Sequence, residues 1–444
     1  MSDARSPRRY RARCLSFGAQ STAAAPIVEL LDDVLITVVD GRIASVDDAS
    51  ALPATSDVVD LRPGLLLPGF IDSHIHFPQQ DMIGSYGAQL MDWLERYAFP
   101  AEMAYADPAF SADAAERFLD RMLANGTTTA MVFATVHETS AEALFQAAAR
   151  RRLRMIAGKV LMDRNAPDGL RDTDDGYAAS AALIERWHGR DRLAYAVTPR
   201  FAITSTDAQL GAAKRLLEDY PGTYLHSHLS ENPGEIQQTL ALYPDAPNYL
   251  AVYDQFGLVN DRSHYAHGIH LSEPELELMH ARQGTIAFCP TSNLFLGSGL
   301  LDIEALMRRG IPMSVATDVG GGTSFSQLRT LADGYKVAQL RGYSWHPFSA
   351  FYALTLGNAQ ALGLADRIGR IAPGYEADWV LLDGRSQPVL GERLARAETL
   401  EEELFAYQML GDERAVSKTL ILGTPLYERG DRVERVERTE THNA

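Results

Sequence analysis

Hydrophobic positions along the middle of the chain come in short runs of strand length, separated by longer stretches with helical spacing. The runs are GFIDSHIH (69–76), TTTAMVFAT (127–135), RMIAGKVLM (154–162), LAYAVTPRF (193–201), TYLHSHLS (223–230), SHYAHGIH (263–270), TIAFCPTSN (285–293) and PMSVATDVG (312–320). Between them, segments such as AFSADAAERFLDRMLANG (109–126) and TSAEALFQAAARRR (139–152) return an apolar residue every three or four positions, the spacing of a helix with one buried face. The runs are nearly continuously apolar, as strands covered on both faces must be. Eight such strand–helix units predict a (β/α)8 barrel.

The two ends follow another pattern. RYRARCLSF, DVLITVVDGRIASVDD and DVVDLRPGLLL lie within residues 8–66 and read as short strands joined by turn signals such as Asp40-Gly41. After residue 369, GRIAPGYEADWVLLD and AVSKTLILGTPLYERG are again strand-like. The expected fold is therefore α/β. A barrel over residues 67–368 is inserted between two β segments, 1–66 and 369–444, that pair into a small β-sandwich.

Composition narrows the function. A chain of 444 residues that is 46% hydrophobic can bury one large core and a smaller one. A net charge of −17 argues against a nucleic-acid partner, whose phosphates need a cationic face. Two cysteines, Cys14 and Cys289, make no disulfide framework, and with no CxxC there is no thiolate-clamped zinc. The basic opening MSDARSPRRYRARC is not followed by a long apolar stretch. Nor does any run approach the roughly 20 residues a membrane helix needs. The expectation is a soluble cytoplasmic protein with no membrane partner.

Barrels of this kind carry their chemistry where the strands end. The first run ends in His74 and His76, and the fifth in His226, His228 and Glu231. The sixth ends in His264, His267 and His270, and the eighth in Asp318. Side chains at i and i+2 share one face of a strand, so His74 and His76 can hold one ion together. A histidine from each of the fifth and sixth strands and Asp318 would close a shell suited to Zn²⁺ or Fe²⁺. An isolated H-x-H is weak; a set that falls at strand ends in barrel order is not. His226 and His228 share a face, and the nearness of Glu231 favours His228, with His226 hydrogen-bonding a ligand from behind. His267 is preferred over His264 and His270 because it precedes a glycine at the strand terminus. His137, His188, His280, His346 and His442 read as packing or surface residues. Lys159 in the third strand has no counterpart in the fourth, which favours one metal over two. A carboxylate that touches the metal can accept a proton from water, a role for Asp318. A carboxylate just off it can shuttle a proton to substrate, a role for Glu231.

PGFIDSHIHFPQ, HSHLSE, AHG and TDVGGG together resemble the amidohydrolase superfamily in its single-metal deaminase branch. The finer likeness is to members that act on guanine. It is carried in order by MDWLERYAFPAE (91–102), TTTAMVFATVH, GKVLMDRN, TPRFAITS, HLSENPGEI, FCPTSNLFLGSG and TDVGGGTSFS. It covers nearly the whole chain and is weakest at both ends. The W-L-x-x-Y-x-F-P-A-E and T-P-R-F segments are its most specific parts. One departure is Phe288, where many relatives have a histidine before the cysteine. The resemblance implies metal ligands His74, His76, His228, His267 and Asp318. It also implies substrate contacts from Gln79, Arg200 and Phe201, Glu231 as proton shuttle, and a homodimer. The implied reaction is hydrolytic deamination of guanine to xanthine and ammonia. Phe201 offers a face for a flat heterocycle, Arg200 offers only donors to an oxo-purine, and Gln79 can both donate and accept.

Two other readings compete. A hydrolase of another amino-heterocycle (oxidised guanine, a pterin, a triazine) would share the metal shell and differ in the pocket. A non-catalytic scaffold should have lost ligands, and none is lost. The cytidine-type deaminase fold requires H-x-E with P-C-x-x-C, which this chain lacks.

Overall fold

The structure is a computed structural model that describes residues 7–53, 56–87 and 89–430; His442 lies outside them. The chain opens with β1 (Arg8–Phe17), β2 (Val28–Val39), β3 (Arg42–Asp48) and β4 (Val58–Pro68). Asp40 and Gly41, which join β2 to β3, have φ of 51° and 81°. Both are positive, as a two-residue Asp-Gly hairpin turn requires.

The eight apolar runs all form strands. They are β5 (Phe70–His76), β6 (Thr127–Phe133), β7 (Arg154–Gly158) with the short β8 (Val160–Leu161), β9 (Leu193–Pro199), β10 (Tyr224–Leu229), β11 (Ser263–His267), β12 (Thr285–Phe288) and β13 (Met313–Val315). All pair in parallel, in chain order from β5 to β13. Beyond the last rung, Asp318 N donates to His74 O (2.9 Å) and His76 N to Val319 O (2.7 Å), which closes the barrel. Every residue of β5, β6 and β12 is buried. That double burial is why the runs are apolar without alternation.

The helices form where the spacing places them. The helix Pro108–Ala124 starts on Asp107, whose carboxylate accepts from Ala109 N and Phe110 N, with Pro108 in the first turn. This pairing of cap and proline suits a helix start. Its Ala114, Phe118, Leu119 and Met122 are buried against the barrel.

After the barrel the chain returns as β14 (Trp379–Leu382), β15 (Val416–Ile421) and β16 (Thr424–Glu428). The two ends meet as expected, β14 lying antiparallel to β4. Together they form one continuous seven-stranded mixed sheet in the order β16–β15–β14–β4–β1–β2–β3. The tail also holds two helices between its strands, Pro388–Leu394 and Leu400–Leu410, and the second packs on the barrel helix Gln327–Leu340. A buried ion cluster fastens this return to the base of the barrel. Arg154 Nη2 meets Glu376 Oε1 at 2.6 Å and Arg192 Nη2 meets Glu376 Oε2 at 2.9 Å, with Asp378 against Arg192. The opposite rim, where the strands end, is left for the site.

Candidate active site

The rim of β5 is built around Asp72. Its buried carboxylate accepts from Thr317 Oγ1 (2.5 Å) and Thr317 N (3.1 Å), which draws the segment after β13 against β5. The glycines that follow allow this approach: a Cβ on Gly322 would lie 1.8 Å from Thr317 O, and one on Gly320 2.6 Å from Gln79 O. His267 and Asp318 stand at the ends of their strands with φ of 75° and 52°. Left-handed backbone at non-glycine residues costs about 1–3 kcal/mol and concentrates at functional sites. Here it turns both side chains toward the barrel axis.

The histidines converge there. Ligand atoms of His74, His76, His228 and Asp318 all lie within 4.8 Å of one another. His74 Nε2 faces Asp318 Oδ1 at 3.1 Å, His76 Nε2 faces it at 3.4 Å, and His267 Nε2 faces Asp318 Oδ2 at 3.8 Å. His76 Nε2 and His228 Nε2 are 3.2 Å apart. The outer nitrogens fix the tautomers. His228 Nδ1 must donate, because its partner is the carbonyl oxygen of Arg200 (2.7 Å). His267 Nδ1 is held by Asn293 Oδ1 (2.9 Å) and His74 Nδ1 by His226 Nε2 (2.7 Å). The inner nitrogen of His228 therefore presents a lone pair, and that of His74 is buried and makes no hydrogen bond among the described residues. Burial pushes the His76 ring down to about 3. Burial, then the neighbouring rings, holds His228 well below the ordinary histidine range. Burial opposes the charge on Asp318, but His74, His76 and His267 outweigh it and keep its carboxyl well below the usual range. Imidazole and carboxylate lone pairs crowded on one point repel one another unless a cation lies between them, so this donor set fits a divalent metal.

Glu231 lies beside the cluster, its Oε2 3.3 Å from His267 Nε2. Burial, then the charge of Asp318, pushes its carboxyl up to about 8, while a hydrogen bond from Ser298 Oγ to Oε1 (2.8 Å) pulls the other way. Gln79, Arg200 and Phe201 line the same pocket, together with Trp93, Leu94 and Leu296. Apolar walls with a few placed polar groups are the usual form of a small-molecule site.

Several expectations are refined by this geometry. His226 sits on the inner face as H-x-H spacing requires, but one pleat below His228, where it supports His74. His264 is buried in β11 against Tyr224, and His270 contacts the carbonyl of Ser298 (2.8 Å). Lys159 Nζ is tied to Asp172 (2.5 Å) and takes no part in the cluster. Phe288 packs into the helix layer against Trp345, away from the pocket, so the departure there leaves the lining unchanged. Sequence reasoning assigned no role to Glu102, Asn293 or Ser298, although all three lie in the segments that carried the resemblance.

Comparison with known proteins agrees in scale with the site. Residues 65–426 match the Amidohydrolase family. The chain is 44% identical over 410 residues to a guanine deaminase of Escherichia coli, covering 91% of this chain and 93% of that one. The solved E. coli guanine deaminase superposes with a TM-score of 0.91 at 41% identity, over 96% of this chain and 99% of that one. A guanine deaminase from C. acetobutylicum, solved with guanine in its active site, gives 0.85 at 26% identity, over 95% and 100%. An adenosine deaminase from Xanthomonas campestris, solved with bound zinc, gives 0.81 at 25% identity, over 94% and 92%.

Proposed function

The chain belongs to the amidohydrolase family, and from that premise we infer that its pocket carries out the hydrolytic deamination of guanine to xanthine and ammonia. The observation that carries the reading is the union of two halves in one pocket. One half is a metal-type cluster with Glu231 at its edge; the other is the set of Gln79, Arg200 and Phe201, which line the same pocket. The guanine deaminases aligned end to end with this chain support it.

We assign His74, His76, His228, His267 and Asp318 to a single divalent ion, with zinc first and Fe²⁺ second for a set of imidazoles closed by a carboxylate. When bound, such an ion supplies Lewis acidity and lowers the pKa of a water toward about 7. The chain's own residues do the rest. Arg200 directs donors at the acceptor edge of guanine, which carries O6 and N7. Gln79 matches a lactam, which both donates and accepts. Phe201 lies against the ring face. Asp318, held ionised, is an acceptor for the proton of the attacking water. Glu231 gives its proton to the ring nitrogen beside the attacked carbon, making that carbon electrophilic. A second proton passed through the same carboxyl converts the amine into departing ammonia. Guanine plus water thus becomes xanthine plus ammonia.

A panel of purines, pterins and triazines scored by ammonia release tests the reading, with metal content measured on the same sample. Guanine is expected to lead, with about one divalent ion per chain; a metal-loaded sample that releases no ammonia from guanine ends the proposal.

Arg200 provides a second check. It is not a surface residue: it is 2% exposed and pairs with Glu102. Arg200→Lys keeps a charge for Glu102 but replaces a fork of donors with one ammonium. It should lower kcat/KM for guanine by the roughly 1.5–3 kcal/mol of a charged hydrogen bond, with the melting temperature nearly kept. Unchanged guanine kinetics would confine Arg200 to the ion pair.

A further inference from the structure

We propose that Glu102 is a positioning residue that sets purine selectivity by fixing the hydrogen-bonding direction of both Gln79 and Arg200; the proposal rests on the guanine reading of the same pocket. Glu102 is fully buried. Its Oε1 accepts from Gln79 Nε2 (2.9 Å) and from Arg200 Nη1 (2.9 Å), and its Oε2 from the same Nη1 (2.8 Å). Among the described residues, every hydrogen bond to its carboxylate comes from a pocket side chain. Phe99, three residues earlier and on the same helical face, lies under the guanidinium, with Cζ 5.4 Å from the ring centroid. The helical segment behind the W-L-x-x-Y-x-F-P-A-E motif therefore does two things. Trp93 and Leu94 line the cavity, while Phe99 and Glu102 hold Arg200 from behind.

A carboxylate can only accept. Gln79 must therefore turn its amide nitrogen to Glu102, which leaves its Oε1 to accept from Gly320 N (3.2 Å). The amide orientation, ordinarily ambiguous, is dictated by these two partners. Arg200 spends Nη1 on Glu102, and among the described residues no hydrogen bond engages its Nη2 or Nε. These remaining donors are the ones an oxo-purine edge would meet. With a neutral amide at position 102, both directions loosen. An amide donates as well as accepts, so Gln79 can flip, and Arg200 loses the charge that anchors it.

Glu102→Gln in the metal-loaded enzyme tests this. Two substrates are compared: guanine, and 2-aminopurine, which carries the same amine but no 6-oxo group. Where turnover of 2-aminopurine is too slow to follow, its inhibition constant against guanine replaces kcat/KM. Metal content should stay at the wild-type level. Guanine kcat/KM should fall about tenfold or more, mainly through KM, while 2-aminopurine changes little, so that their ratio collapses. Glu102→Asp, which keeps the acceptor-only chemistry on a shorter arm, should recover part of the ratio; it also decides the matter if Glu102→Gln does not fold. A ratio unchanged in the variant that folds, with both substrates weakened alike, would make Glu102 a purely structural residue. Wild-type enzyme inactive on guanine would overturn the parent reading instead, and the two failures are told apart by the unmutated control.

Discussion

His267→Ala is expected to abolish ammonia release from guanine and to leave far less than one divalent ion per chain. His267 is the proposed ligand whose placement depends on the most surrounding structure. Its backbone is left-handed at the end of β11, its Nδ1 is locked by Asn293, and its Nε2 lies between Asp318 and Glu231. Removing only a partner behind a metal ligand costs about 10- to 100-fold in metal affinity or activity, so removing a ligand itself should cost more. It also takes away the ring that sets the distance between Glu231 and Asp318. The measurements are elemental analysis of the purified variant, ammonia release, and release again after incubation with excess Zn²⁺. Chelation of the wild type should reproduce the loss, and zinc should reverse it there far better than in the variant. A variant that is fully active without metal sinks the five-residue assignment.

The sequence made the barrel legible because its strands are buried on both sides. A run such as TTTAMVFAT has no solvent face to soften its pattern, and all seven residues of β6 are buried. The proposed ligands were legible for a related reason. Strand alternation puts i and i+2 on one face, and barrel order puts strand ends on one rim, so His74, His76, His228, His267 and Asp318 could be listed before any coordinates. The choice of His228 over His226 needed one more step. Both point inward, and only the depth of a pleat, about 7 Å between alternate residues, separates the proposed ligand from the residue that meets His74.

What lies behind the site was not legible, because it is made by contacts distant in sequence. Glu102 meets Arg200 across 98 positions and Ser298 meets Glu231 across 67. No periodicity records such a meeting. The left-handed backbone at His267 and Asp318 was hidden too, since glycine advertises that conformation and histidine and aspartate do not. Arg200 posed a different problem. Sequence offered it as a substrate contact; in the buried pocket the pair with Glu102 is what leaves the rest of the guanidinium directed. The helices Pro388–Leu394 and Leu400–Leu410 fall between strand-like segments of the tail, where attention to the strands passed over them.

Glu231→Gln separates chemistry from binding. The carbon that bears the amine is a poor electrophile until the adjacent ring nitrogen is protonated, and the amine leaves only as ammonia. One carboxyl that releases and regains a proton can serve both steps. Asp318 is less free to carry a proton to the ring, because it is turned into the histidine cluster as a proposed metal ligand. Glu231 is suited: it lines the pocket, is pushed up to about 8 by burial and then by Asp318, and is steered by Ser298. Glutamine keeps its size and can still accept from Ser298, but it cannot shuttle a proton. The variant is therefore expected to retain its metal and to bind guanine with near-normal affinity, as measured by titration calorimetry. Its kcat should fall by the roughly 10²–10⁴-fold that general acid–base catalysis supplies, or more. Loss of metal in this variant would make Glu231 a ligand and the five-residue shell wrong. Near-normal turnover would transfer the proton shuttle to another residue, and Glu235, buried in the same pocket four positions on, would be the first to test in its place.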